Sequence, residues 1–301
     1  TGIKGKDYVD ILGGTINVTA QQDGIKSTND TDEGKGWTRL SNGTVTVNAG
    51  DDGFKASRVV EISGGSLTVE QSDEGIEAQY INVSGGDVNV TSADDGMNAS
   101  LKTSDSESTD SSANTSDAAN QQQNNQQQGS LPGGQQNGAS NQQQQGTGQP
   151  PAMSGTSQDG TSQNGTTGTG QQGMGQPPQG GMPGGGGGTF EVVDAAINVS
   201  GGNITVNAEG DGIDSNGVTT LSGGTLIVNG PSQGGNAALD TNGDLLLNGA
   251  TVLSGSTADM FEAPSTNSTS GYLKLTNSSG FEQGSTVQVA DSSGKLVANY
   301  K

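Results

Sequence analysis

The sequence predicts an all-β protein, a parallel β-solenoid with coils of about 21–22 residues and one long disordered insert. Three observations carry this. A glycine-anchored frame recurs along the chain, apolar and polar residues alternate strictly after each anchor, and the composition changes abruptly between residues 102 and 188. With 27% hydrophobic residues and only one Trp, four Tyr and four Phe, the chain lacks the apolar content of a conventional globular core. A stacked fold tolerates this, because each coil is completed by its neighbours.

The anchors are Gly-Gly or Asn-Gly pairs ending at Gly14, Gly43, Gly65, Gly86, Gly202 and Gly224. Three residues before them stand Ile11, Leu40, Ile62, Val83, Val199 and Leu221; two residues after stand Ile16, Val45, Leu67, Val88, Ile204 and Leu226. Val18, Val47, Val69, Val90, Val206 and Val228 follow two positions later, separated by Thr, Asn or Ser, which is the period-2 pattern of a strand. Next come Gly24, Gly53, Gly75, Gly96 and Gly212, each preceded by an acid and followed by Ile25, Phe54, Ile76, Met97 or Ile213. The glycines read as corners needing positive φ or close backbone approach, not as a phosphate cradle, since no helix follows any of them.

Both ends continue the scheme. Gly2-Ile3 copies the acidic-turn glycine and its apolar follower, so the chain is expected to begin within a coil, with at least one more before it. Leu247–Val252 and Asp259–Ala263 read as a decayed copy, and Tyr272–Leu275 and Thr286–Val289 as capping strands over the open sheet edge. The expected domains are N-terminal coils over 1–101, a disordered insert over 102–188, and C-terminal coils with a cap over 189–301, the two coil segments forming one continuous solenoid. The insert has no aromatic residue, six of the eight prolines and long Gln/Asn runs, so it cannot bury enough apolar surface to fold. It reads as a spacer or as a self-associating tract. A smaller insert, Ser27–Gly36, lengthens one corner and carries Asp30, Asp32, Glu33 and Lys35 beside Trp37.

Charge and missing residue types narrow the chemistry. A net charge of −21 argues against nucleic acid and anionic membrane surfaces as partners, and no apolar run is long enough to insert into a membrane. Without Cys or His there are no thiolate or imidazole ligands, which leaves oxygen donors. The acidic turns supply them in Asp23, Asp51, Asp52, Asp73, Glu74, Asp94, Asp95, Asp211 and Asp214. On stacked coils such acids would lie about 4.8 Å apart, a costly ladder without a cation, and calcium is the ion that takes irregular sets of hard oxygens. The competing reading is a series of solvated Asx turns; doubled acids, which turn chemistry does not require, favour calcium.

The segments Lys4-Gly5-Lys6-Asp7-Tyr8-Val9, Ile11-Leu12-Gly13-Gly14-Thr15-Ile16-Asn17-Val18, Asp52-Gly53 and Asp95-Gly96 resemble the bacterial carbohydrate-binding domain proteins built as right-handed parallel β-helices with bound calcium. The resemblance covers roughly 1–100 and 190–263. It implies a right-handed parallel β-helix, an extracellular, secreted or surface-attached bacterial protein, and binding of cell-wall polysaccharide, including acidic, uronate-containing glycans. It places calcium on the turn acids from Asp23 to Asp211, and it leaves a site at the acid-free copy around Gly234-Gly235 in doubt.

Three functions follow as expectations. In a binding module, calcium bridges protein and sugar carboxylates; Trp37, Tyr80 or Phe54 offers a stacking face, with Trp37 the better platform and Phe54 more readily core. Lys26, Lys35, Arg39 and Lys55 are then candidate carboxylate contacts. In a structural adhesin, calcium rigidifies a stalk and the Gln-rich tract self-associates. A pectin-type lyase or hydrolase is the least favoured, because the carboxylates belong to the repeated frame rather than to one cluster and Arg39 and Arg58 are the only arginines.

Overall fold

The computed structural model describes residues 1–101 and 191–301, apart from residues 259, 283 and 301; the expected disordered insert lies outside the described residues. The described chain is all-β, with no helix among these residues. The chain runs in circuits. The first contains β1 (Ile3–Gly5), β2 (Tyr8–Ile11) and β3 (Thr15–Ala20); the second β4 (Ile25–Ser27), β5 (Trp37–Leu40) and β6 (Thr44–Ala49). The third contains β7 (Phe54–Ala56), β8 (Val59–Ile62) and β9 (Ser66–Gln71); the fourth β10 (Ile76–Ala78), β11 (Tyr80–Val83) and β12 (Asp87–Ser92). Then follow β13 (Met97–Ala99), β14 (Ala196–Ala208), β15 (Ile213–Ser215), β16 (Val218–Asn229), β17 (Leu239–Thr241), β18 (Leu245–Leu247) and β19 (Thr251–Gly255).

Equivalent strands of successive circuits pair in parallel. The short strands form a seven-stranded sheet, β1-β4-β7-β10-β13-β15-β17, and the remainder a twelve-stranded sheet. Both run through the sequence gap: Met97 pairs with Ile213, Tyr80 with Ala196 and Val88 with Ile204. The alternation sets which residues face in. Ile25, Phe54, Ile76, Met97 and Ile213 are fully buried from one sheet, Leu40, Ile62, Ile81, Ile197 and Leu221 from the other, and all belong to one core cluster. At the last residue of these short strands the inward side chain is small: Ser27, Ala56, Ala78, Ala99, Ser215 and Thr241.

The two glycine types do different jobs. Gly86 holds φ +90, the left-handed region that favours glycine. Gly53 has no such angle; a Cβ there would lie 2.6 Å from Val69 Cγ1 and 2.7 Å from the Gly75 carbonyl of the next circuit, so the position is set by close approach.

The C-terminal expectations need correction. Tyr272–Leu275 forms no strand and its apolar side chains are exposed, and residues 260–263 form none either; Asp259 is outside the described residues. Thr286–Val289 overlaps β20 (Val287–Ala290), but this pairs antiparallel with β21 (Leu296–Tyr300) as a hairpin rather than extending the sheets. The edge of β18 is met instead by residues 265–270. The Leu245 amide donates to Ser265 Oγ (3.1 Å) and the Leu247 amide to Ser268 Oγ (3.0 Å), while the Ser265 and Thr269 amides donate to the Leu245 and Leu247 carbonyls at 2.8 and 3.1 Å. Short alternating runs do not by themselves specify pairing; serine hydroxyls can satisfy an edge equally well.

Candidate functional site

Two outward features coincide with the residues singled out from sequence. The first is the acidic corner ahead of the short strands. The turn residues Asp23, Asp52, Glu74, Asp95 and Asp211 occupy equivalent places: the Gly24, Gly53, Gly75 and Gly96 amides donate to the carbonyls of Asp52, Glu74, Asp95 and Asp211 in turn. The next carbonyl in this series is that of Ala237, which accepts from the Gly212 amide (3.0 Å), so the last acid-free turn is Ala237-Ala238 rather than Gly234-Gly235.

Beside these turns runs a second column, the outward middle residue of each short strand: Lys4, Lys26, Lys55, Glu77, Asn98, Asp214 and Asp240. Its charge reverses partway. In the N-terminal part, carboxylate oxygens of Asp23, Asp51 and Asp52, and of Asp52, Glu74 and Glu77, lie within 4.8 Å of one another. Two lysines fold onto them. Lys26 Nζ is 2.7 Å from Asp23 Oδ2; Lys55 Nζ pairs with Asp52 and lies 2.6 Å from Glu77 Oε2. Burial opposes the charge on Asp23, yet Lys26, Thr1 and Lys55 hold its pKa below the ordinary value. Burial likewise opposes the Lys55 charge, but Asp52 and Glu77 raise its pKa well above that of an ordinary lysine. For Asp52, burial and the adjoining Glu77 push the carboxyl up against the pull of Lys55.

The C-terminal part of the corner has no lysine in the column. Burial, then Asp214 and Asp94, push Asp95 up to about 8; burial, with Asp240 and Asp94 contributing, lifts Asp211 to about 6. Burial raises Asp240, and burial with Asp240 lifts Glu262 to about 7. Partial desolvation and then the neighbouring Asp73 raise Asp94, although both acids keep exposed surface at the outer edge of the corner. Asp95 Oδ1 accepts the Asp211 amide at 2.7 Å, and Asp211 Oδ1 accepts the Ala237 amide. Buried Asn98 Oδ1 and Glu262 Oε2 have no hydrogen-bond donor, while Asn98 Nδ2 donates to Glu74 Oε1 at 3.0 Å. Asp214 completes the set between Asn98 and Asp240. Burial and neighbouring carboxylates resist the ionisation of Asp95, Asp211 and Glu262, and hard oxygens of this kind are donors that calcium takes more readily than an N- or S-seeking metal does.

The second feature is an aromatic strip at the first residue of β2, β5, β8 and β11: Tyr8, Trp37, Val59 and Tyr80. Tyr8 and Trp37 stack with centroids 4.6 Å apart at 8°, and the Arg39 guanidinium lies 4.6 Å from the Trp37 ring centroid. Glu33, Gly34, Lys35, Trp37, Arg58, Val59 and Tyr80 line an open groove of about 310 Å³. The small insert is built around buried Asn29, whose Nδ2 donates to Asp7 (2.8 Å) and Asp32 (3.1 Å) and whose Oδ1 accepts the Asp32 amide (2.9 Å). This brings Lys35 to the groove, 3.1 Å from both Asp7 and Asp32. Arg58 reaches across to the Asp32 carbonyl at 3.1 Å. A hydrogen bond to Asp194 and slight desolvation raise the Tyr80 pKa.

The expected carboxylate contacts therefore divide. Lys35 lines the groove, and Arg39 flanks it, bonded to Glu61 at 2.9 Å, whereas Lys26 and Lys55 are drawn into the acidic corner. Phe54 is fully buried in the core and offers no stacking face. Sequence reasoning overlooked Tyr8, Arg58, Glu77, Asp240 and Glu262. Tyr8 was within reach: it stands six residues before its anchor glycine, as Trp37 and Tyr80 do.

Residues 1–118 match the model of a family described as carbohydrate-binding domain-containing protein, which supports carbohydrate binding. No curated protein matches the chain, and no solved structure does.

Proposed function

We propose that the chain is a non-catalytic polysaccharide-binding module that receives its glycan along the Tyr8–Trp37–Tyr80 strip. The stacked Tyr8–Trp37 pair carries this reading, because the ring surface that two parallel stacked aromatics leave open, beside hydrogen-bonding side chains, suits the apolar face and the hydroxyl edge of a pyranose. All three aromatics fall within the segment that matches the carbohydrate-binding family. Lys35 and Arg58, two cations on a chain of net charge −21, line the groove and in this reading would meet the carboxylates of a uronate-containing glycan.

Calcium belongs to the same proposal, at Asp95, Asp211, Asp214 and Asp240 with Glu262. Support comes from the raised pKa values of Asp95, Asp211, Asp240 and Glu262 and from the donor-free oxygens of Asn98 and Glu262. Sites of this kind suit millimolar extracellular calcium, and we read the chain as an extracellular bacterial protein wound as a right-handed parallel β-helix.

The test is binding of polygalacturonate and of neutral cello-oligosaccharides by isothermal titration, for the wild type and Trp37→Ala, in calcium and in chelator. Losing the stacking ring is expected to cost on the order of 1 kcal/mol, roughly fivefold in affinity, with little change in melting temperature. Equal binding by both proteins would remove the strip from the mechanism. Release of reducing ends or unsaturated products would overturn the non-catalytic reading.

A further inference from the structure

The reversal of charge along the short-strand column gives the two parts of the acidic corner different means of neutralisation. In the N-terminal part the Lys55 ammonium lies where a bound cation would. Its side chain is 17% exposed, and those of Asp23, Asp52 and Glu77 are 2%, 4% and 3% exposed. The ammonium bonds to Asp52, lies 2.6 Å from Glu77 Oε2 and stands 3.9 Å from Asp23 Oδ1. That Asp23 oxygen is buried, has no hydrogen-bond donor, and is the one Lys26 leaves unused. Three carboxylates from three successive circuits thus converge on one nitrogen. A lysine offers three donors on a long flexible stem and gives their oxygens a charge of only one.

We propose that the Asp23–Asp52–Glu77 pocket is a latent divalent-cation site in which the Lys55 ammonium takes the place of the metal, making these circuits independent of calcium. Along the same column, the circuits beyond Glu77 carry Asn98, Asp214 and Asp240, and it is there that an external cation is called for. The division has a use. The aromatic strip begins on the lysine-bearing circuits, at Tyr8 and Trp37, so the sugar-stacking face keeps its shape when calcium falls. The proposal rests on the reading of the turn acids as cation sites, and its test separates the two.

The substitution Lys55→Met in the full chain removes the charge and keeps the length of the side chain. Melting in chelator and in a calcium series, together with calorimetric stoichiometry, reads the result. The variant is expected to melt lower than the wild type in chelator, to regain stability in calcium, and to bind one more ion per chain; Lys55→Arg, which keeps a charge, is expected to match the wild-type count. Equal stoichiometry in Lys55→Met and wild type overturns the proposal while leaving calcium elsewhere intact. An extra ion in the variant, with none in the wild type, upholds the proposal and sinks the calcium reading of the C-terminal acids. Should Lys55→Met not fold at any calcium concentration, the wild type decides: the Lys55 ammonium NMR resonance is expected to stay fixed through calcium saturation, and its displacement by calcium overturns the proposal.

Discussion

In the absence of metal, raising the pH from 5 to 8 should destabilise the folded chain, and the C-terminal acids set the size of the effect. A carboxyl whose folded pKa lies above its unfolded value holds a proton in the native state that the unfolded chain has already released, so stability is lost as the pH climbs through the folded value. Asp211 at about 6, Glu262 at about 7 and Asp95 at about 8 all titrate in this window. Asp7, Asp32 and Asp291, whose values are lowered, titrate below it, and the raised lysines Lys35 and Lys55 titrate above it. One unit is about 1.4 kcal/mol, so Glu262 alone would correspond to roughly 3 kcal/mol. Because these groups share one field and are partly open to solvent, we expect about 2–4 kcal/mol for the set, or on the order of 5–15 °C in melting temperature. Differential scanning calorimetry in chelator at pH 5, 6.5 and 8 reads the slope. Calcium should flatten it, since the ion binds the deprotonated acids and binds more tightly as pH rises. A melting temperature in chelator that is constant or increases with pH would refute the reasoning.

Two further substitutions test the frame itself. Gly53→Ala forces a methyl against Val69 and the Gly75 carbonyl and should cost about 1–3 kcal/mol by chemical denaturation, whereas Gly271→Ala, with open space around it, should stay within about 0.5 kcal/mol. Ser268→Ala leaves the Leu247 amide without its acceptor and should cost about 1–2 kcal/mol, with faster hydrogen exchange at Leu247; unchanged exchange would mean the edge is covered in another way.

The strands were legible because their signal is local. Side chains in a strand alternate between faces, so Ile16/Val18 and their counterparts had to face one way while the intervening Thr, Asn and Ser faced the other, and the in-register pairs Ile16 with Val45 and Val18 with Val47 follow that frame. Corner glycines were legible for the same reason, since positive φ and close approach both leave a residue with no side chain. The acidic corner was visible as composition, and the aromatic strip as a fixed offset from the anchor. Counting along the chain also shows that Lys26 and Lys55 point outward, but not what they touch there. An outward lysine can extend to solvent or fold three residues back onto its own turn, and the choice depends on how many carboxylates the neighbouring circuits bring within reach. Glu77 comes from the circuit after that of Lys55, and only stacking places it 2.6 Å away. The same holds for Asp240 and Glu262, which join the corner from beyond the last acidic turn, and for the Ser265 and Ser268 hydroxyls that satisfy the edge of β18. The sequence by itself determined the period, the inward face and the sites of sharp turning, all consequences of backbone geometry within a few residues. Tertiary structure alone decided which of the turn acids meet a lysine, because that depends on side chains from separate circuits meeting in a space of a few ångströms.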